Sequence, residues 1–222
     1  MNDFANNLSH DEFTKFAKKT LAEITVNRAG GENTMKFSYE LNGIGWAEVY
    51  FEINNKQYYF MPSYLTEALT DLIRAVEVLM PECVEEDEVR SESTFRWNSE
   101  PCENVWLLTR ISEETLNIQI KEYVDGVEVG NPQTLLNEKC SFDIFIGELV
   151  HSLDNILSKH GLVGYRRQWY SGEFPLSGYI MLKHYITHRK KVDVQIINPG
   201  EHNMYYQTSL FEETETIKNA TK

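Results

Sequence analysis

Two stretches of this chain alternate apolar and polar residues around tight turn signals, and each is followed by an amphipathic helical pattern. In the first, Met35, Phe37, Tyr39 and Leu41 alternate with polar residues, as a half-buried strand requires. Asn42-Gly43, a pair that tolerates positive φ, marks a turn. Ala47, Val49, Phe51 and Ile53 form the apolar face of the next strand, with Trp46, Glu48, Tyr50 and Glu52 on the other face. Asn54-Asn55 predicts a second tight turn, into Gln57 to Met61. Connections this short force antiparallel pairing, because a parallel return needs a crossover of roughly a dozen residues or more.

After this meander, Pro62-Ser63 predicts a helix start, with the stripe Leu65, Leu69, Leu72, Ile73, Val76 and Leu79 ending near Pro81. Glu82 to Glu92 is an aperiodic acidic connection of six carboxylates and one arginine. Strands resume at Thr94 to Trp97, Asn104 to Arg110 and Thr115 to Tyr123, and Asp125-Gly126 is another hairpin signal. Ser141 is placed to cap a helix carrying Phe142, Phe145, Ile146, Leu149, Val150, Leu153, Ile156 and Leu157 on one face. Gly161 sits where a helix C-terminus wants a left-handed residue.

The fold class this predicts is α+β: two antiparallel β-meander-plus-helix units in one domain, flanked by an N-terminal helix and a C-terminal helical segment. Ser9 and Glu12 have capping-box spacing ahead of Phe13, Phe16, Ala17, Leu21 and Ile24, which places the first helix within residues 1–30. The single domain spans 31–197. It holds two similar halves (31–81 and 93–161) and a C-terminal segment (162–197), with a helix near Pro175 to Lys190 and a strand at Val192 to Ile197. Residues 198–222 read as a polar tail, frayed from Glu212 to Lys222.

Of 222 residues, 41% are hydrophobic, enough for a core, so global disorder is excluded. The longest stretches without a charged residue are ten residues, Gln57 to Thr66 and His202 to Phe211, against about 20 apolar residues for a spanning helix. Met1-Asn2-Asp3 opens neither a basic n-region nor an apolar h-region. These features predict a cytoplasmic protein without a membrane partner. The three cysteines, Cys83, Cys102 and Cys140, form no C-x-x-C and read as free thiols.

A broader pattern runs from Gly43 to Ile186. The helix Pro62-Ser63-Tyr64-Leu65-Thr66-Glu67-Ala68-Leu69-Thr70-Asp71-Leu72 is followed by Trp97, Glu100, Pro101 and Trp106, then by Gly164, Tyr165, Trp169, Phe174 and Pro175. This resembles a group of uncharacterised bacterial acidic α+β proteins. The resemblance carries no catalytic signature, and what it implies is a protein of the toxin-immunity type.

The catalytic and cofactor motifs are missing. His184 and His188 stand at i and i+4 on the last predicted helix, but Tyr185 occupies the place where a zincin needs Glu, and no third ligand lies nearby, so no metal is expected. There is no G-x-S-x-G elbow and no S-x-x-K set. Cys102 or Cys140 with His151 is the remaining nucleophile arrangement, Cys140 lying just before a helix whose dipole would lower a thiol pKa; a buried inert cysteine is the commoner case. Gly43-Ile44-Gly45 lacks a third glycine and joins two strands, so no phosphate loop and no cofactor is expected. Glu48 and Glu52 share a strand face, but four residues put their Cα atoms roughly 13 Å apart, too far for a retaining glycosidase pair.

Charge is the feature that points to function. The chain has 21 basic and 34 acidic residues, a net charge of −13. Seven of the basic residues fall between Asn155 and Val192, with Glu173 the one acidic residue there and six aromatics interleaved. The basic segment either packs against the acidic body as an internal charge complement or is itself a site, and two uses of the pattern are open. The acidic remainder is suited to steering onto a basic protein, docking around Glu85, Glu86 and Glu88 or the face of Glu48 and Glu52. Alternatively, segment 155–192 serves as an anion site through Arg166, Arg167, Trp169, His184, His188 and Lys190, either as an enzyme on an anionic substrate or as a nucleic-acid platform. A strongly acidic remainder repels a polyanion, so the first use is preferred: a non-enzymatic acidic module, of immunity or inhibitor type, that binds a basic protein.

Overall fold

The computed structural model describes residues 35–124, 130–170, 172–197 and 205–220. The chain divides into two compact units, Met1–Glu32 and Asn33–Lys222. All the described residues belong to the second unit, and the helix expected within residues 1–30 lies outside them.

The described residues form an α+β fold with four helices and three antiparallel sheets. The first sheet has the order β1-β2-β3: β1 (Met35–Leu41), β2 (Ala47–Ile53) and β3 (Lys56–Phe60). Every apolar residue predicted on β1 and β2 is buried. Asn54 and Asn55 have φ of 51° and 64°, the left-handed pair that matches a two-residue turn to strand twist. The first connection is longer than the Asn-Gly signal suggests. Leu41 pairs with Ala47, and Asn42 N–H donates to the Trp46 carbonyl at 2.9 Å. Gly45 is required in this loop: its φ is +75°, and a Cβ would lie 2.7 Å from the Tyr64 ring.

Helix α1 (Ala68–Glu77) begins later than Pro62. The intervening residues are drawn into the sheets instead: Ala47 N–H donates to the Pro62 carbonyl, and Ser63 N–H donates to the Asn98 carbonyl at 2.7 Å. Leu65 is consequently 55% exposed and outside the helical stripe, whereas Leu69, Leu72, Ile73, Val76 and Leu79 are buried as expected.

The second sheet has four strands in sequence order: β4 (Glu92–Ser99), β5 (Cys102–Arg110), β6 (Thr115–Tyr123) and β7 (Gln133–Ser141). The sequence reading has no β7. Only Leu136 and Cys140 of that strand are buried, so it carries little apolar alternation. Ser141 caps α2 (Phe142–Gln168), its Oγ accepting from the Ile144 N–H at 3.4 Å, and all eight predicted core residues of this helix are buried. At Gly161, φ is 61° and ψ −179°, a conformation open essentially to glycine alone. It breaks the helix, which then resumes to Gln168 instead of ending.

α1 packs on β4, an edge strand of the second sheet, and α2 on β1, an edge strand of the first. The contact of α2 is specific. Phe37 N–H donates to Glu148 Oε2 at 3.3 Å, Tyr39 N–H donates to Ser152 Oγ at 2.7 Å, and the Ser152 hydroxyl lies 3.3 Å from the Tyr39 carbonyl. These side chains satisfy an edge that would otherwise expose unpaired backbone donors. Between the sheets, Phe51, Phe60, Trp97 and Trp106 form one aromatic core, with ring centroids 4.9 Å apart for the tryptophan pair and 5.2 Å for Phe60–Trp106.

Helix α3 (Leu176–His188) falls where expected. β8 (Gln195–Ile197) pairs with β9 (Tyr205–Gln207), and α4 (Leu210–Ala220) packs Ile217 against the core, which corrects the reading of Glu212 to Lys222 as frayed. No helix among the described residues is long and apolar enough to cross a membrane.

Candidate interaction surface

The acidic connection between α1 and β4 is a run of turns in which Glu85, Glu86, Asp87 and Glu88 are all exposed. None of these four makes an ion pair among the described residues. The nearby Arg90 spends its guanidinium on the carbonyls of Asp87, at 2.7 Å, and Val89, at 3.0 Å. The loop is therefore anchored by backbone acceptors while its carboxylates face water.

The second acidic surface is the outer face of the first sheet. Glu48 stands directly across from Glu40, a like-charge pairing that costs a sheet stability. Lys159 reaches Glu40 at 3.5 Å, and Asn42 Nδ2 donates to Glu48 at 3.3 Å. Glu52 is a different kind of residue. Its side chain is 13% exposed, it accepts the Tyr50 hydroxyl, and Lys36 Nζ lies 3.8 Å away. Burial and the Glu52 carboxylate push the Tyr50 phenol up, so it stays a donor. Tyr59, which the sequence reading does not single out, lies against Tyr50 with centroids 5.1 Å apart and the rings tilted by 40°; burial, then Glu52 and Glu48, raises its pKa. The signal for Tyr59 is present in the two-residue turn, whose register sets Tyr50 opposite Tyr59. Trp46 immediately precedes β2 and bridges to Ser63.

Most cations of the basic segment are paired within the molecule, Lys183 in a largely covered setting and the others at the surface. Lys183 Nζ lies 2.7 Å from Asp154, Arg189 2.5 Å from Asp143, Arg166 2.5 Å from Glu173, and Lys190 3.3 Å from Asp193. Lys191 donates to the Val84 carbonyl at 3.1 Å, tying this segment to the acidic loop. Arg167 is exposed and makes no ion pair among the described residues. The aromatics are core residues: Tyr165, Trp169, Phe174, Tyr179 and Tyr185 are buried, with Trp169 1% exposed, and only Tyr170 of the six projects into solvent. No base can stack on Trp169 without opening the fold.

His184 and His188 do share a helix face, with ring centroids 4.6 Å apart. Burial, then His188 and Lys190, lowers the His184 pKa, which disfavours two adjacent imidazoliums. Among the described residues, no three His, Cys, Asp or Glu groups come together to hold a metal. The expected effect of the helix dipole on Cys140 is reversed: the thiol is buried on β7 and pushed up to about 12. His151 is exposed and interacts with Asn155 at 3.3 Å. Cys83 is likewise pushed up to about 12 by burial.

Compared with protein-family models, curated proteins and solved structures, the chain has no significant match.

Proposed function

We propose that this protein is a non-enzymatic acidic module that binds a basic protein partner, as an immunity or inhibitor protein does. The observation that carries the reading is the asymmetry of charge pairing. Most cations of segment 155–192 are matched by internal acceptors, while Glu85, Glu86, Asp87 and Glu88 stand together in solvent without an ion pair among the described residues. A surface of that sign raises the encounter rate with a cationic target and repels nucleic acid. An inhibitor of this kind occupies the surface on which a basic target would hold phosphates.

The test is comparative capture from lysate of the source cells, with wild type and the Glu85→Lys, Glu86→Lys, Glu88→Lys triple variant as baits at physiological salt. The reading predicts a basic protein that the wild type retains and the variant loses. Identical retention by both baits, or selective loss of acidic proteins, contradicts it.

A further inference from the structure

The two halves treat their edge strands differently. On β1, Glu148 and Ser152 from α2 take the outward backbone donors. On β4 the outward residues are the even-numbered ones, since Asn98 gives its carbonyl to the Ser63 N–H at 2.7 Å and its N–H to Thr66 Oγ1 at 3.5 Å. That parity also follows from the tight turn joining Ser99 to Cys102, which directs the odd residues toward β5. The backbone groups of Thr94 and Arg96 therefore point away from the sheet, and among the described residues nothing pairs with them. Both residues are exposed. Helix α1 does not close this edge. It bonds β4 from the core side, where the Ser93 hydroxyl donates to the Ala75 carbonyl and Trp97 Nε1 donates to the Ala68 carbonyl.

A cleft of about 350 Å³ remains between helix and strand, lined by Asp71, Arg74, Ala75 and Val78 of the helix side and Ser93, Thr94 and Phe95 of the strand side. One wall is an unpaired strand edge and the other a helix, the geometry in which an extended peptide adds a strand. Asp71 makes no ion pair among the described residues; burial raises its pKa more than the charge of Arg74, which lines the same cleft, lowers it, so its carboxylate stays incompletely solvated and open to a second cation. Glu92 adds an exposed carboxylate at the near end of the strand.

We propose that the β4 edge is a docking site for an extended, cationic segment of the partner protein, which pairs with Thr94 and Arg96 and sets a Lys or Arg side chain against Asp71. The cationic character of the occupant rests on the proposed function; the strand pairing rests on the geometry alone.

Fluorescence anisotropy with the full chain tests it, using a dye-labelled seven-residue peptide of alternating Val and Lys. Two further peptides carry N-methyl groups on alternate amides, one on the Val residues and one on the Lys residues, so that each blocks a single edge. Strand addition predicts that one methylated peptide binds at least about tenfold more weakly, about 1.4 kcal/mol, while the other binds like the parent. Thr94→Pro removes the outward N–H without a ladder bond to β5 and should weaken binding about tenfold; Asp71→Asn should weaken the Lys peptide several-fold and leave an alternating Val and Thr peptide unaffected. Near-UV circular dichroism verifies that the variants are folded, and the methylated peptides decide the matter if Thr94→Pro is not. Equal binding by both methylated peptides, or no binding at millimolar peptide, overturns the docking site while leaving the acidic-surface reading standing. One-edge sensitivity with equal affinity for the Lys and Thr peptides overturns the cationic occupant.

Discussion

Ser152 illustrates how a single small polar residue can hold two layers together. It accepts from Tyr39 N–H in a buried setting, so Ser152→Ala leaves that donor unsatisfied. The expected cost is about 1–3 kcal/mol, read by urea denaturation, and larger than the effect of an exposed Ser substitution such as Ser158→Ala. Titration offers a second check. Burial raises the carboxyls of Glu67, Asp71 and Glu77 above the ordinary range. Each binds its proton more tightly in the folded chain than in the unfolded one, so folding gains as pH falls through that interval and loses as pH rises through it. Glu77→Gln should therefore be more stable than wild type at pH 7, with the difference shrinking as pH is lowered toward 5. An equal difference at both pH values would mean that the gain is not electrostatic. The thiols behave in the same sense at the alkaline end. With Cys83 and Cys140 raised to about 12, native protein at pH 8 should leave both unmodified by iodoacetamide, and unfolding in urea should expose them to labelling.

Elements are legible in the sequence where side-chain pattern and backbone demand coincide. β1, β2, the Asn54-Asn55 turn, α2 and α3 have apolar periods or turn residues strong enough to settle local structure without tertiary help. The misses have specific causes. α1 starts late because Pro62 and Ser63 give their backbone groups to Ala47 and Asn98, a long-range demand that outweighs a good local start signal. β7 is invisible because just two of its nine residues face the core. Gly161 reads as a stop, yet the helix resumes beyond it to place Tyr165 and Trp169 in the core. That resumption also decides the candidate site, since the periodicity of a basic-aromatic segment does not say which face is inward. Trp169→Ala should cost about 3–5 kcal/mol of stability, as removal of a core aromatic does, and should not act as a binding mutation. Filter binding with single-stranded DNA and RNA near physiological salt should detect no complex, and the Arg166→Ala, Arg167→Ala double variant should leave that result unchanged. Micromolar binding lost in the double variant would restore the anion-site reading.

For the protein taken together, what matters is the distribution of charge and not its total. The aromatic core joins two sheets, and the ion pairs of Lys183 and Arg189 fasten α3 to α2, so the positive segment works as internal fastening. The negative residues that are left over concentrate where no cation among the described residues answers them. Steering by such a surface acts on encounter, which gives it a kinetic signature: the association rate falls with ionic strength while the dissociation rate changes little. The decisive quantity is the association rate constant between this protein and the basic partner it captures, followed from about 50 to 500 mM salt, over which the Debye length shortens roughly threefold, from about 14 Å to about 4 Å. Electrostatic steering predicts a fall of at least about tenfold for wild type, and a slower, less salt-dependent rate for the Glu85→Lys, Glu86→Lys, Glu88→Lys variant. A wild-type rate that does not respond to salt, or a variant that associates as fast as wild type, would contradict it.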